Sequence, residues 1–135
     1  MPTLAIHGNY LDAEEQQLLR DYANWSVVYC PRTHAFFGHE RYPLLSMKRR
    51  GINVAVGTDS RASNPDLSVL AELRHVARQF PELPPGTVLA MGTLSGATAL
   101  GLEKETGAIA PGLLADLVAV RLDHSSSSND PAANV

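Results

Sequence analysis

Short apolar runs alternate along the chain with longer segments whose apolar residues recur at helical spacing. Thr3-Leu4-Ala5-Ile6-His7 is an apolar run ending in a histidine, and Gly8-Asn9 supplies turn chemistry after it. Asp12 with Glu15 makes a capping-box pattern, and Leu18, Leu19, Tyr22 and Ala23 follow, predicting a helix from about Asp12 to Tyr22. Ser26 to Cys30 reads as a second strand stopped by Pro31, and Arg32 to Tyr42 as a polar and aromatic loop. Pro43 to Arg50 is expected to be helical, with Gly51 as its C-terminal cap. Ile52 to Thr58 is rich in β-branched residues, which predicts a third strand buried on both faces.

The second half continues the alternation with helices. Leu67, Leu70, Leu73, Val76 and Ala77 give a helix from Leu67 to Gln79, and Pro81, Pro84 and Pro85 break the chain after it. One further helix is expected from Thr87 to Leu100, thinned on one side by Gly92 and Gly96. Gly107 to Gly112 reads as a turn and Leu117 to Leu122 as a strand. The Ser-, Asn- and Ala-rich residues 124–135 read as disordered. Strand–loop–helix units in succession predict an α/β fold with a parallel sheet. The pattern alone leaves open a small independent sheet.

Composition narrows the class. The 135 residues suffice for one modest domain, and 44% hydrophobic with 19% charged residues is ordinary for a soluble globular chain. A net charge of −3 gives no electrostatic case for nucleic acid. The basic run Lys48-Arg49-Arg50 falls at a helix end, where cations suit the helix dipole. With Cys30 as the sole cysteine, no disulfide can form within the chain. No stretch has the length of a membrane span and the first residues lack the features of a signal peptide. A cytoplasmic location without membrane partners is the expectation.

In a parallel α/β protein, chemistry gathers where strands end at their C-termini. His7 and Asp59 both fall at such ends. Asp59 is framed by Ser60, Ser63 and Asn64. A buried carboxylate there needs a cation or several donors, so a metal is a natural partner, although an Asp in a loop also caps turns. His39, after Phe36-Phe37-Gly38, is placed to contact a planar substrate with a phenylalanine as stacking wall. The same residues could instead pin the loop. Arg32, Arg61 and Asn64 are further substrate-contact candidates, while His75, on a helix, reads as structural. No Gly-rich phosphate loop is present, which argues against a nucleotide-binding module.

Gly57-Thr58-Asp59-Ser60 with Ala62-Ser63-Asn64 resembles the last barrel strand and following loop of the amidohydrolase superfamily. The nearest branch looks like the chlorohydrolase and aminohydrolase enzymes, among them guanine and adenosine-type deaminases. Ala5-Ile6-His7-Gly8-Asn9-Tyr10-Leu11 is similar to the family segment whose His lies beside the metal. Val28 to His34 resembles another stretch, in which an Asn usually stands in place of His34. Leu89 to Leu102, Gly107 to Gly112 and Ala115-Asp116-Leu117-Val118 look like the segment leading out of the barrel.

The resemblance implies the last three units of an eight-stranded (β/α) barrel over residues 1–102. It implies a strand of a small β-sandwich over residues 103–123, ahead of the tail 124–135. It further implies hydrolysis of a C–N or C–halogen bond, chiefly deamination of a nitrogen heterocycle by metal-bound hydroxide. Asp59 would ligate a divalent metal, zinc, and shuttle a proton, while His7 would orient the attacking water. The family's His-x-His ligand pair is absent from this chain. His7 and Asp59 cannot make the three protein ligands of a catalytic zinc. The chain therefore reads as a C-terminal part of a larger enzyme, inactive alone, whose missing barrel strands are its expected partner. Homo-oligomerisation of the parent enzyme stays open, as does an inert remnant.

Overall fold

A computed structural model describes residues 1–121. Its elements are β1 (Thr3–Ile6), α1 (Ala13–Asp21), β2 (Trp25–Tyr29), α2 (Pro31–Phe36), α3 (Leu44–Arg49), β3 (Asn53–Val56), α4 (Val69–Gln79), α5 (Pro85–Met91) and α6 (Leu94–Leu100). The strands form one parallel sheet in the order β1-β2-β3. Thr3 pairs with Trp25 and Ser26 with Asn53, so the strand C-termini stand side by side on one rim.

Local chemistry explains the helix starts. Asp12 Oδ1 accepts from the amides of Glu14 and Glu15, both at 2.9 Å, and Glu15 Oε2 accepts from the Asp12 amide, completing the capping box of α1. Ser68 caps α4 by accepting from the Ala71 amide. Leu67 stays outside that helix, in left-handed backbone with φ 54°.

Alternation along the strands divides the sheet into two faces. Ala5, Val27, Tyr29, Val54 and Val56 turn toward the main core, where they meet Leu19 of α1, Leu44 and Met47 of α3, Leu73 and Val76 of α4, and Val88 and Met91 of α5. On the opposite face Leu4 and Ile6 are 38% and 52% exposed. One end of that face is covered by α6, to which Asn53 is tied: its Nδ2 donates to Ser26 Oγ and to the Ser95 carbonyl, both at 2.9 Å.

Three expectations are corrected. The stretch after Pro31 is not all loop: Pro31 opens α2, because its fixed φ and missing N–H suit a first helical position as well as they stop a strand. The helix expected from Thr87 to Leu100 is two helices, broken at Gly92-Thr93. A Cβ on Gly92 would lie 2.8 Å from Leu73 Cδ1, so the glycine lets α5 end hard against α4. Residues 117–121 join no ladder; Leu117 and Val118 are exposed, and a strand needs a neighbour to pair with. Leu122 and the tail 124–135 lie outside the described residues. No helix among the described residues is long and apolar enough to cross a membrane.

Gly57 marks the point where β3 runs out against β2. Its amide donates to the Tyr29 carbonyl at 2.8 Å, and a Cβ there would lie 2.7 Å from Val28 Cγ1 and 3.3 Å from Cys30 Sγ. Gly57→Ala is expected to destabilise the chain by roughly 1–3 kcal/mol through overpacking, read as a lower midpoint in urea.

Candidate active site

The rim of the sheet carries two strained positions. His7 has φ 68° and Asp59 φ 57°; with Leu67 they are the non-glycine residues of positive φ among the described residues. Such backbone costs on the order of 1–3 kcal/mol and persists where surroundings over-determine it. At His7 the amide still donates to the Val28 carbonyl at 2.8 Å, so the ladder holds until the residue where the chain turns away. Its carbonyl accepts from the Tyr42 hydroxyl at 2.5 Å. Tyr42 is itself buried and stacked on Tyr29 with ring centroids 3.7 Å apart, and burial drives both phenol pKa values far above the ordinary tyrosine value.

His7 Nε2 and Asp59 Oδ2 face each other at 3.9 Å, although their strands are not neighbours. The two side chains are about one-third exposed, opening on a cavity of about 120 Å³ lined also by Asn9, Thr33, His34, Phe37 and His39. The Asp59 carboxylate accepts from Ser63 Oγ at 3.3 Å, and Ser63 in turn shares a hydrogen bond with Thr33 Oγ1 at 3.0 Å. His39 Nδ1 meets the Tyr10 hydroxyl at 2.8 Å, with the two rings edge to face. Phe37 lines the cavity, while Phe36 stands outside it, exposed, its ring edge-on to Phe37.

His34 is buried in the same wall. Its Nε2 lies 2.7 Å from the Glu40 carbonyl oxygen and its Nδ1 3.1 Å from Asn9 Oδ1, so each ring nitrogen faces an oxygen acceptor. Burial lowers the His34 pKa, and burial lowers that of His75 on α4 likewise. The unfolded chain then takes up protons first, so stability is full above the ordinary histidine pKa of about 6.5 and is lost as pH falls below it. His34→Asn is expected to flatten that acid loss, read from urea unfolding between pH 7 and pH 5.

Arg32, Asn64 and Arg61 do not line the cavity. Arg32 Nε donates to Glu72 Oε1 at 2.5 Å, and its terminal nitrogens donate to Asn64 Oδ1 at 2.7 Å and to both Asp66 oxygens. The Arg32 hydrogen bond holds the Asp66 carboxyl down at about 2 and, with Glu72, raises the guanidinium pKa further. Arg61 is exposed in the loop after β3.

Glu72 and Tyr42 were not among the candidates in the sequence, and His34 stood out only as a residue where the resembled family usually has Asn. Glu72 alone carried a usable signal: a carboxylate inside the helical stripe Val69, Leu73, Val76, Phe80 is a charge placed where an apolar group belongs. Nothing in the spacing marks Tyr42 as a partner of the His7 carbonyl.

A carboxylate facing an imidazole across a cavity is a donor pair suited in type to zinc. Among the described residues, however, no three His, Cys, Asp or Glu side chains gather closely enough to hold a metal ion. Asp59, with His7 beside it, is by its chemistry able to serve as one ligand of a metal, and the further ligands such a site needs are not in this group.

Comparison with known proteins agrees with an α/β arrangement around a parallel sheet. The model of the amidohydrolase family matches residues 1–135, and the chain belongs to that family. It is 37% identical to a 5-methylthioadenosine/S-adenosylhomocysteine deaminase of Moorella thermoacetica, over all of this chain and 33% of the relative. Among solved structures, it is similar to a zinc-bound adenosine deaminase of Xanthomonas campestris, with TM-score 0.78, 33% identity, and 84% of this chain and 27% of that one covered. A mutant atrazine chlorohydrolase of Arthrobacter aurescens, complexed with zinc and atraton, superposes with TM-score 0.83 at 27% identity, covering 96% of this chain and 30% of that one. The chain spans about a third of the length of the curated relatives it matches.

Proposed function

We propose that this chain is the C-terminal barrel portion of a metal-dependent hydrolase that deaminates a nitrogen heterocycle of the aminopurine class. The observation that carries the proposal is the approach of His7 and Asp59 to 3.9 Å across one cavity from the ends of separate strands. Zinc, held by Asp59 together with ligands from outside the described residues, would supply acidified water, lowering its pKa toward about 7. The chain's own residues handle protons and orientation. Asp59 takes a proton from water as its oxygen bonds to the ring carbon. It returns that proton to the departing nitrogen as the C–N bond breaks, releasing ammonia. His7 orients the water and His39, with Phe37 beside it, contacts the flat ring. The named deaminase relatives support amine over halide as the leaving group.

The exposed Leu4 and Ile6 favour a second reading of the chain as it stands, as a part that acts only once further strands cover that face. Both readings meet in one experiment. The chain, joined by the segment that supplies the His-x-His pair, is given zinc and assayed on a 6-aminopurine nucleoside and a chlorotriazine. Ammonia from the nucleoside, with none from the chain alone, is the expected result. Chloride release without ammonia would overturn the deaminase assignment, and turnover by the chain alone would overturn its dependence on further strands.

A further inference from the structure

We propose that Glu72, a carboxylate on α4 that touches neither cavity nor Asp59, is the positioning residue that fixes Asp59 at the rim. This rests on the reading of Asp59 as the proton-transferring group. Glu72 is fully buried, and an enclosed carboxylate is held there only when charge and donors surround it. It accepts from the Arg32 amide at 2.9 Å, from Arg32 Nε, and from Asn64 Nδ2 at 2.6 Å. One buried anion therefore joins the start of α2, the loop after β3, and α4.

Asn64 passes that constraint to the rim. Its Nδ2 donates to the Thr58 carbonyl at 2.8 Å as well as to Glu72, and its Oδ1 accepts from Arg32 and from the Leu67 amide at 3.1 Å. The Thr58 carbonyl belongs to the peptide that enters Asp59, so holding it fixes the plane from which Asp59 turns into left-handed backbone. The loop from Gly57 to Ser68 contains no helix or strand of its own, and the amide of Asn64 stands where such a brace is needed. The Asp59 carboxylate, in contrast, accepts a long bond from Ser63 Oγ at 3.3 Å and otherwise stands at the cavity wall. Its backbone is clamped while its oxygens face the cavity. That division suits a group that must exchange protons without moving.

Glu72→Gln keeps the shape, removes the charge, and sets an N–H2 against donors that need an acceptor. Two readings of this variant test the proposal. Hydrogen exchange of the 135-residue chain, followed by mass spectrometry, should accelerate in peptides covering 58–64 while those covering β1 and β2 hold. In the zinc-loaded assembled enzyme, kcat should fall about 10²-fold with KM within about twofold, the effect of a displaced catalytic group. In an Asp59→Asn background the same change should cost less than about twofold, because its target is already gone. A group that merely supports the fold would cost the same factor in both backgrounds. Unchanged exchange at 58–64, or equal costs in the two backgrounds, overturns the positioning role. If Asp59→Asn alone retains full activity, the reading of Asp59 fails instead, and exchange alone decides whether Glu72 holds the loop. Should Glu72→Gln fail to fold, Asn64→Ser, which leaves the Arg32–Glu72 pair in place, is read by the same two measurements.

Discussion

Asp59→Asn is expected to lower kcat of the assembled hydrolase roughly 10²–10⁴-fold, the range lost when a positioned acid–base group is removed. The substitution isolates chemistry from folding. Asparagine tolerates left-handed backbone as aspartate does, so φ 57° is no obstacle to it. Its amide oxygen can still accept from Ser63 Oγ, and the side chain stands partly in solvent, so no buried partner is orphaned. What it loses is the ability to take a proton from water and return it. Stability within about 0.5 kcal/mol of the parent, beside a collapsed kcat, is the expected pair of results. A kcat within a few-fold of the parent would remove Asp59 from the mechanism.

The second large effect concerns the chain in isolation. Leu4 and Ile6 project from β1 on the sheet face away from the main core, and among the described residues β1 and β3 each pair on one side only. Exposed apolar surface beside open strand edges is a template for pairing with another chain. The 135-residue protein is therefore expected to sediment well above monomer size at micromolar concentration. Ile6→Lys should shift it toward the monomer, since the lysine places a charge on that face without entering the core. A native-like monomer at all concentrations, unaffected by Ile6→Lys, would contradict the view that this face is built to be covered.

How far the sequence carried depended on whether a feature was set by local pattern or by partners distant in the chain. The three parallel strands followed from apolar runs separated by helical spacing, and the placement of His7 and Asp59 on one rim followed from that topology alone. Where their side chains meet could not be read, because it depends on two left-handed residues and on the Tyr42 hydroxyl at the His7 carbonyl. Arg32 and Asn64 stood out as polar residues near the rim. Their hydrogen bonds run to Asp66, in the same loop, and to Glu72, which only the three-dimensional course of α4 brings against it. The break at Gly92-Thr93 was hidden because both halves are apolar at the same helical period. The apolar run at 117–121 has strand composition, yet composition cannot supply the neighbour that a ladder requires.

The central claim is that Asp59 belongs to a metal centre completed by groups beyond the described residues. The most direct measurement is zinc affinity of the assembled protein, titrated against a chromophoric chelator, for the parent and for Asp59→Ala. Loss of a ligand should weaken binding by more than the 10–100-fold typical of removing a group that only orients one. Equal affinity in the two proteins would contradict the claim.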